Sequence, residues 1–167
     1  MLKKRKLIIV PVFSKNKKNN CRKNSKICVI PIVNNKIYTI MFDGGSRGNP
    51  GNSGCGFVIY DSENNEIDHG YKNIGFNTNN VAEYTALYLA LILARKKEYN
   101  NIIIKGDSML VINQLKGVWK VKNANLKKIY DNIKNILKNI ASYKLLHVKR
   151  NLNKRADQLA NIAMDEK

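Results

Sequence analysis

Acidic side chains are scarce in this chain: 12 Asp and Glu stand against 30 Lys and Arg, for a formal charge of +18. None occurs before Asp43. A balance this one-sided points to a polyanionic partner, nucleic acid first and an anionic membrane surface second. Part of the excess follows from a general preference for Lys, Asn and Ile, as AT-rich coding sequence produces, but its uneven placement does not. Cysteines are also few. Cys21, Cys28 and Cys55 are odd in number and form no CxxC pair, which argues against a disulfide framework and a cysteine metal site. They read as free thiols in a reducing, intracellular compartment, cytoplasm or nucleus. Long apolar runs are missing too; none approaches the ~18 residues that a membrane span needs. The opening MLKKRKLIIVPVF has a basic start and a short apolar stretch, but Pro11 interrupts it and no small-residue cleavage site follows. It does not read as a secretory signal.

What is present divides near residue 36. Residues 1–35 are expected to form a basic extension, partly flexible, in which two apolar runs, LIIVPVF and ICVIPIV, flank the aperiodic stretch SKNKKNNCRKNSK. Each run contains a proline, so each reads at most as a short edge strand. Residues 36–167 are expected to fold as one compact domain, and the chain is long enough for a real core. Lys36 to Asp43, Gly54 to Tyr60 and Glu66 to Gly75 read as an antiparallel meander. Val81 to Tyr99 reads as a long helix, apolar almost all round and therefore central. Asn101 to Asp107 reads as a buried strand and Ser108 to Leu115 as a short helix. Leu126, Ile129, Ile133, Ile136, Leu137 and Ile140 recur at helical spacing with lysines off that stripe. Tyr143 to Val148 is the last strand and Lys154 to Met164 the last helix. The order β-β-β-α-β-α-α-β-α implies an α/β fold, a mixed sheet with helices on its faces.

Four carboxylates then stand out. Taken singly, each has a structural explanation: Asp43 a turn before Gly44, Glu83 a capping box with Asn80, Asp107 a helix cap, Asp157 a first-turn acid favoured by the helix dipole. Taken together they suggest more. Asp43 and Asp107 both close apolar strands, so they meet at one sheet edge if those strands are parallel neighbours. Glu83 is the one charged residue between Val81 and Ala94, on a helix expected to be buried, where an unpaired carboxylate costs several kcal/mol unless a cation neutralises it. Asp157 opens a helix directly after a strand. Carboxylates converging without an internal lysine or arginine partner suit a hard divalent cation such as Mg²⁺. Two such ions can activate a water and stabilise a leaving oxygen in phosphodiester cleavage.

The segments FDGGSRGNPG, TNNVAEYTAL, KGDSMLVINQLKGVWKVKN and HVKRNLNKRADQLAN, in this order, resemble the type 1 ribonuclease H family over about residues 37–164. The resemblance implies a ribonuclease H-like fold with a five-stranded mixed sheet, and a metal-dependent endonuclease that cuts the RNA strand of RNA/DNA hybrids without strong sequence specificity. It implies Asp43, Glu83, Asp107 and Asp157 as ligands of two Mg²⁺ ions, with Mn²⁺ as a substitute. It further implies substrate contacts from Gly44 and Ser46, from Asn49 to 2′-hydroxyls, from Thr78 to a DNA phosphate, and from Asn79 and Asn80 to sugars or base edges. The glycines of the first segment are expected to clear space for the RNA strand. Trp119, with Lys120 and Lys122 beside it, suits a sugar or backbone face, though a core aromatic is an even alternative.

The chain departs from the family where many members carry a loop histidine before the last aspartate. The stretch Asn151 to Asn153 has none. Arg150 is the matching residue, expected to contact a phosphate or assist product release. His147 reads as a core or supporting residue. The long basic protrusion of some members is absent, and the extension reads as an electrostatic tether. The expected partner is an RNA/DNA hybrid, with activity on double-stranded RNA left open, and the protein is expected to be a monomer without membrane association. The competing readings are another metal nuclease on the same fold and a binding module without activity.

Overall fold

The computed structural model describes residues 36–166; the basic extension, with Cys21 and Cys28, lies outside the described residues. Five strands form one sheet in the order β3-β2-β1-β4-β5: β1 (Tyr38–Gly48), β2 (Gly51–Tyr60), β3 (Glu66–Asn77), β4 (Asn101–Gly106) and β5 (Ser142–His147). The first three are antiparallel, and β4 runs parallel to both β1 and β5. The helices are α1 (Asn79–Lys96), α2 (Met109–Leu115), α3 (Ala124–Leu137) and α4 (Lys154–Asp165). The element order matches the one expected from the periodicities.

Alternation along β1 sends Tyr38, Ile40 and Phe42 into the main core with α1 and α3, while Met41 packs with Val58, Ala156 and Leu159 on the α4 side. The sheet is thus covered on both faces. Helix α1 is held mainly by packing. Leu87 and Leu91 are fully buried and contribute about 1.5–3 kcal/mol each. The Thr78 cap, whose hydroxyl oxygen accepts from the Val81 N–H, contributes about 1 kcal/mol. On α3, Leu126, Ile133, Ile136 and Leu137 face the core and Lys127, Lys128 and Lys138 are exposed, as the amphipathic pattern requires.

Two expectations about local structure are corrected. Strand β1 does not stop at Asp43 but continues through Gly48, with Gly44 opposite Cys55 and Gly45 opposite Gly54. Low β-propensity argued for a loop there; the close approach of two helices overrides it. A Cβ on Gly44 would lie 2.2 Å from the Ala82 carbonyl carbon and the Glu83 nitrogen, and one on Gly45 would lie 2.9 Å from the Met164 methyl. These two glycines therefore let α1 and α4 reach the sheet. The helix caps also differ from expectation. Thr78 caps α1 in place of Asn80, and Ser108 caps α2 in place of Asp107. Both corrections release an acidic residue from a structural duty, since Glu83 and Asp107 cap nothing.

Candidate active site

Parallel pairing of β1 and β4 sets Phe42 beside Gly106, so Asp43 and Asp107, the next residues along, arrive at the same place from neighbouring strands. The Gly44 contact brings the start of α1 against β1 and delivers Glu83 to the same spot. From the other face, α4 contributes Asp157 in its first turn. The four carboxylates line one pocket, together with Gly44, Asn79 and Arg150.

Negative charge dominates this pocket, where Arg150 is the one cation among four carboxylates. Asp43 is pushed up to about 7 by burial and then by the charge of Asp107, with smaller contributions from Asp157 and Glu83; the Gly44 N–H opposes the shift. Glu83 is likewise pushed up to about 7, mainly by burial and also by Asp107, against a hydrogen bond from Ser108. Three of the carboxylates are held by polar neighbours. Asn79 Nδ2 donates to Glu83 Oε1 at 3.3 Å and Ser108 Oγ to Oε2 at 2.5 Å. Asn153 Nδ2 donates to Asp107 Oδ1 at 2.6 Å. Arg150 donates to Asp157 Oδ1 at 2.7 Å, and Asn161 Nδ2 to its Oδ2 at 3.2 Å. The expectation that no arginine partners these acids is therefore wrong for Asp157, because the turn Arg150–Leu152 folds back over the start of α4.

Among the described residues no three His, Cys, Asp or Glu side chains stand as a ready-made ligand set for one ion. The site nevertheless fits a hard cation. All its donors are oxygens, and Mg²⁺ keeps several waters while taking only one or two carboxylates. Two carboxyls raised to about 7 by burial and mutual charge are groups whose ionised form a cation would stabilise.

The residues expected to read the substrate are distributed around this pocket. Asn49 Oδ1 accepts the Asn79 N–H at 3.2 Å, tying the β1–β2 turn to the first residue of α1. Thr78 uses its hydroxyl oxygen as the cap, and Asn80 is half-buried on the first turn. Ser46 Oγ donates to the Asn77 carbonyl, a contact that fastens β3 to β1. Trp119 is 47% exposed, so the core alternative is set aside; Lys120 and Lys122 are also exposed. None of these three lines the pocket. Their segment is anchored by Gln114, whose Nε2 donates to the Lys120 carbonyl while its Oε1 accepts from the Tyr84 hydroxyl. His147 is exposed and not a core residue, with its ring Nε2 3.1 Å from the Asp107 carbonyl oxygen. Ser108, Gln114, Asn153 and Asn161 were not identified from sequence. Ser108 follows Asp107 directly and could have been noticed; in a chain this rich in asparagine, Asn153 and Asn161 carry no distinguishing signal.

Residues 41–163 match the family model described as Reverse transcriptase-like. The chain is 39% identical over 125 residues to a protein of Halobacterium salinarum named Ribonuclease HI, a match covering 75% of this chain and 63% of that relative's length. The crystal structure of RNase H1 from the same archaeon superposes with a TM-score of 0.76 at 37% identity, covering 78% of this chain and 99% of that one. LC11-RNase H1, isolated from compost and solved in complex with an RNA/DNA hybrid, superposes with a TM-score of 0.72 at 38% identity, over 77% of this chain and 96% of that one.

Proposed function

The chain belongs to the ribonuclease H family, and from that premise we propose that it hydrolyses the RNA strand of RNA/DNA hybrids endonucleolytically. The observation that carries the reading is the convergence of Asp43, Glu83, Asp107 and Asp157 on one pocket, with two of the four raised to about 7. These carboxylates would hold two Mg²⁺ ions, or Mn²⁺ in their place, which when bound supply an activated water and stabilise the leaving oxygen.

The chain's own residues do the positioning. With its amide oxygen engaged by Asn79, Asn49 would offer its amide donors to the substrate, and a 2′-hydroxyl oxygen is a suitable acceptor. Asn79 has its amide nitrogen on Glu83, which leaves its oxygen to accept from a 2′-hydroxyl. Contacts of this kind, without base readout, discriminate RNA from DNA. The Thr78 hydroxyl accepts within the cap and retains its own hydrogen for a DNA phosphate, while Trp119, Lys120 and Lys122 offer a stacking face flanked by cations. Residues 1–35 contain ten Lys and Arg and no acid, and would add affinity by phosphate neutralisation.

The test is cleavage of labelled RNA/DNA hybrid, double-stranded RNA and single-stranded RNA with Mg²⁺ or Mn²⁺. Loss of RNA from the hybrid alone is the expected result, with a Michaelis constant that climbs steeply as salt is raised. Cleavage of double-stranded RNA as well would widen the substrate class; no cleavage of any substrate with either ion would refute the enzyme reading.

Arg150 allows a sharper prediction. Its side chain is 78% exposed and uses one donor on Asp157, leaving others in its five-donor fork for a phosphate. Arg150→Ala should lower kcat/KM for the hybrid by about tenfold, with folding unaffected because an exposed ion pair contributes only about 0–1 kcal/mol. Unchanged turnover and unchanged affinity would show that the arginine is a bystander.

A further inference from the structure

Asn153 occupies the N-cap position of α4 yet makes no side-chain cap. Its amide is only 1% exposed, and both of its amide hydrogens point away from the helix. One goes to the Phe42 carbonyl of β1 at 2.9 Å, the other to Asp107 Oδ1 at 2.6 Å. Its own oxygen, buried, has no partner. The conformation is not the one that stability alone would select. Asparagine is among the best N-caps because its oxygen accepts a helix N–H, and turning it that way would relieve a buried acceptor that is costly to leave unpaired. What the side chain gains instead is a charge-assisted hydrogen bond to a carboxylate, and a link across the residue immediately before Asp43. The same short segment carries Arg150, which holds Asp157, so one turn orients two of the four acids.

We infer that Asn153 is a positioning residue for the Asp107 carboxylate, holding it beside Asp43 in the orientation that cation binding requires; this rests on the reading of the pocket as a divalent-metal site. Asp107 emerges from the end of β4, beyond the last paired residue, and Asn153, at the start of α4, donates directly to its carboxylate. Groups that orient a metal-binding side chain typically change metal affinity or activity by about 10–100-fold when removed.

Two substitutions in the full chain test this. Asn153→Ser keeps an oxygen able to cap α4 but is too short to span to Asp107. Asn153→Asp keeps the size and shape but replaces the donors with acceptors. Calorimetry measures Mn²⁺ affinity without substrate, thermal melts report folding, and kcat and KM on labelled hybrid are followed across a Mg²⁺ series. Both variants should bind Mn²⁺ about 10–100-fold more weakly. Their kcat at low Mg²⁺ should fall and recover in part at high Mg²⁺, while KM for the hybrid changes by less than about twofold. A merely structural asparagine would lower the melting temperature and leave Mn²⁺ affinity and the Mg²⁺ profile where they were, and that result would overturn the inference. So would failure of both variants to fold. If the unsubstituted protein binds Mn²⁺ but cuts no hybrid, the functional proposal falls and the affinity comparison still decides the role of Asn153. If it binds no Mn²⁺, both fall.

Discussion

Asp43→Asn is expected to cut hybrid cleavage by about a thousandfold or more and, at the same time, to make the metal-free protein more stable at pH 8. The first effect follows from the place of Asp43 among the four acids. The second follows from its raised pKa. A carboxyl at about 7 in the folded protein, against about 3.9 when unfolded, binds its proton more tightly in the folded state. Folding is therefore favoured below the unfolded value, and that contribution is lost as pH rises from about 4 through about 7. Asparagine has the same shape and no charge, so it should gain about 1–2 kcal/mol over aspartate at pH 8, the partial exposure of the group screening the rest. The gain should vanish near pH 4. Glu83 is shifted in the same direction, so the variant keeps part of the pH dependence. Mg²⁺ should raise the melting temperature of the unsubstituted protein at pH 8 by binding the folded state, and raise that of the variant far less. Thermal melts in chelator and in Mg²⁺ at both pH values check all of this. Retained cleavage, or a variant less stable than its parent at pH 8, would contradict the account.

Gly44→Ala should be among the most damaging single-methyl additions in the molecule. The added Cβ would meet two backbone atoms of α1 at 2.2 Å, and no side-chain rotation can relieve that. Strand and helix would have to separate, and α1 brings seven buried residues to the core. Ordinary overpacking costs about 1–3 kcal/mol; a clash between backbones should exceed it, at about 4 kcal/mol or more, enough to unfold a domain of marginal stability. The useful comparison is Gly75→Ala. Gly75 has φ of +69° with nothing within 4 Å of the added carbon, so its cost is limited to the left-handed backbone, about 1–2 kcal/mol. Urea unfolding of the two variants separates the mechanisms. Equal losses would mean that close packing of β1 on α1 is not what Gly44 provides. Any folded fraction of Gly44→Ala should also cleave poorly, because the same contact places Glu83 next to Asp43.

Much of the architecture was legible in the residues themselves. Periodicities of two and of 3.6 mark the strands and helices, and two apolar strands each followed by an aspartate announced a shared edge before any pairing was known. The parallel register of Phe42 with Gly106 realises that edge. The glycine-rich segment was misread because its local preferences favour a loop, whereas its actual conformation is imposed by α1 and α4 pressing on it from both faces. The caps were displaced for a related reason. Thr78 and Ser108 each sit where a helix axis leaves the sheet, a direction that neighbouring elements determine.

The sequence by itself determined the order of elements, the core stripes, the basic charge and the identity of the four acids, because each is written in side-chain type and spacing along the chain. Only the tertiary structure decided how those acids are held. The pairing of Arg150 with Asp157, the two donors of Asn153, and the rise of Asp43 and Glu83 to about 7 depend on distances between segments remote in sequence. Hydrogen bonds and buried charges respond to such distances within an ångström, and no local pattern encodes them.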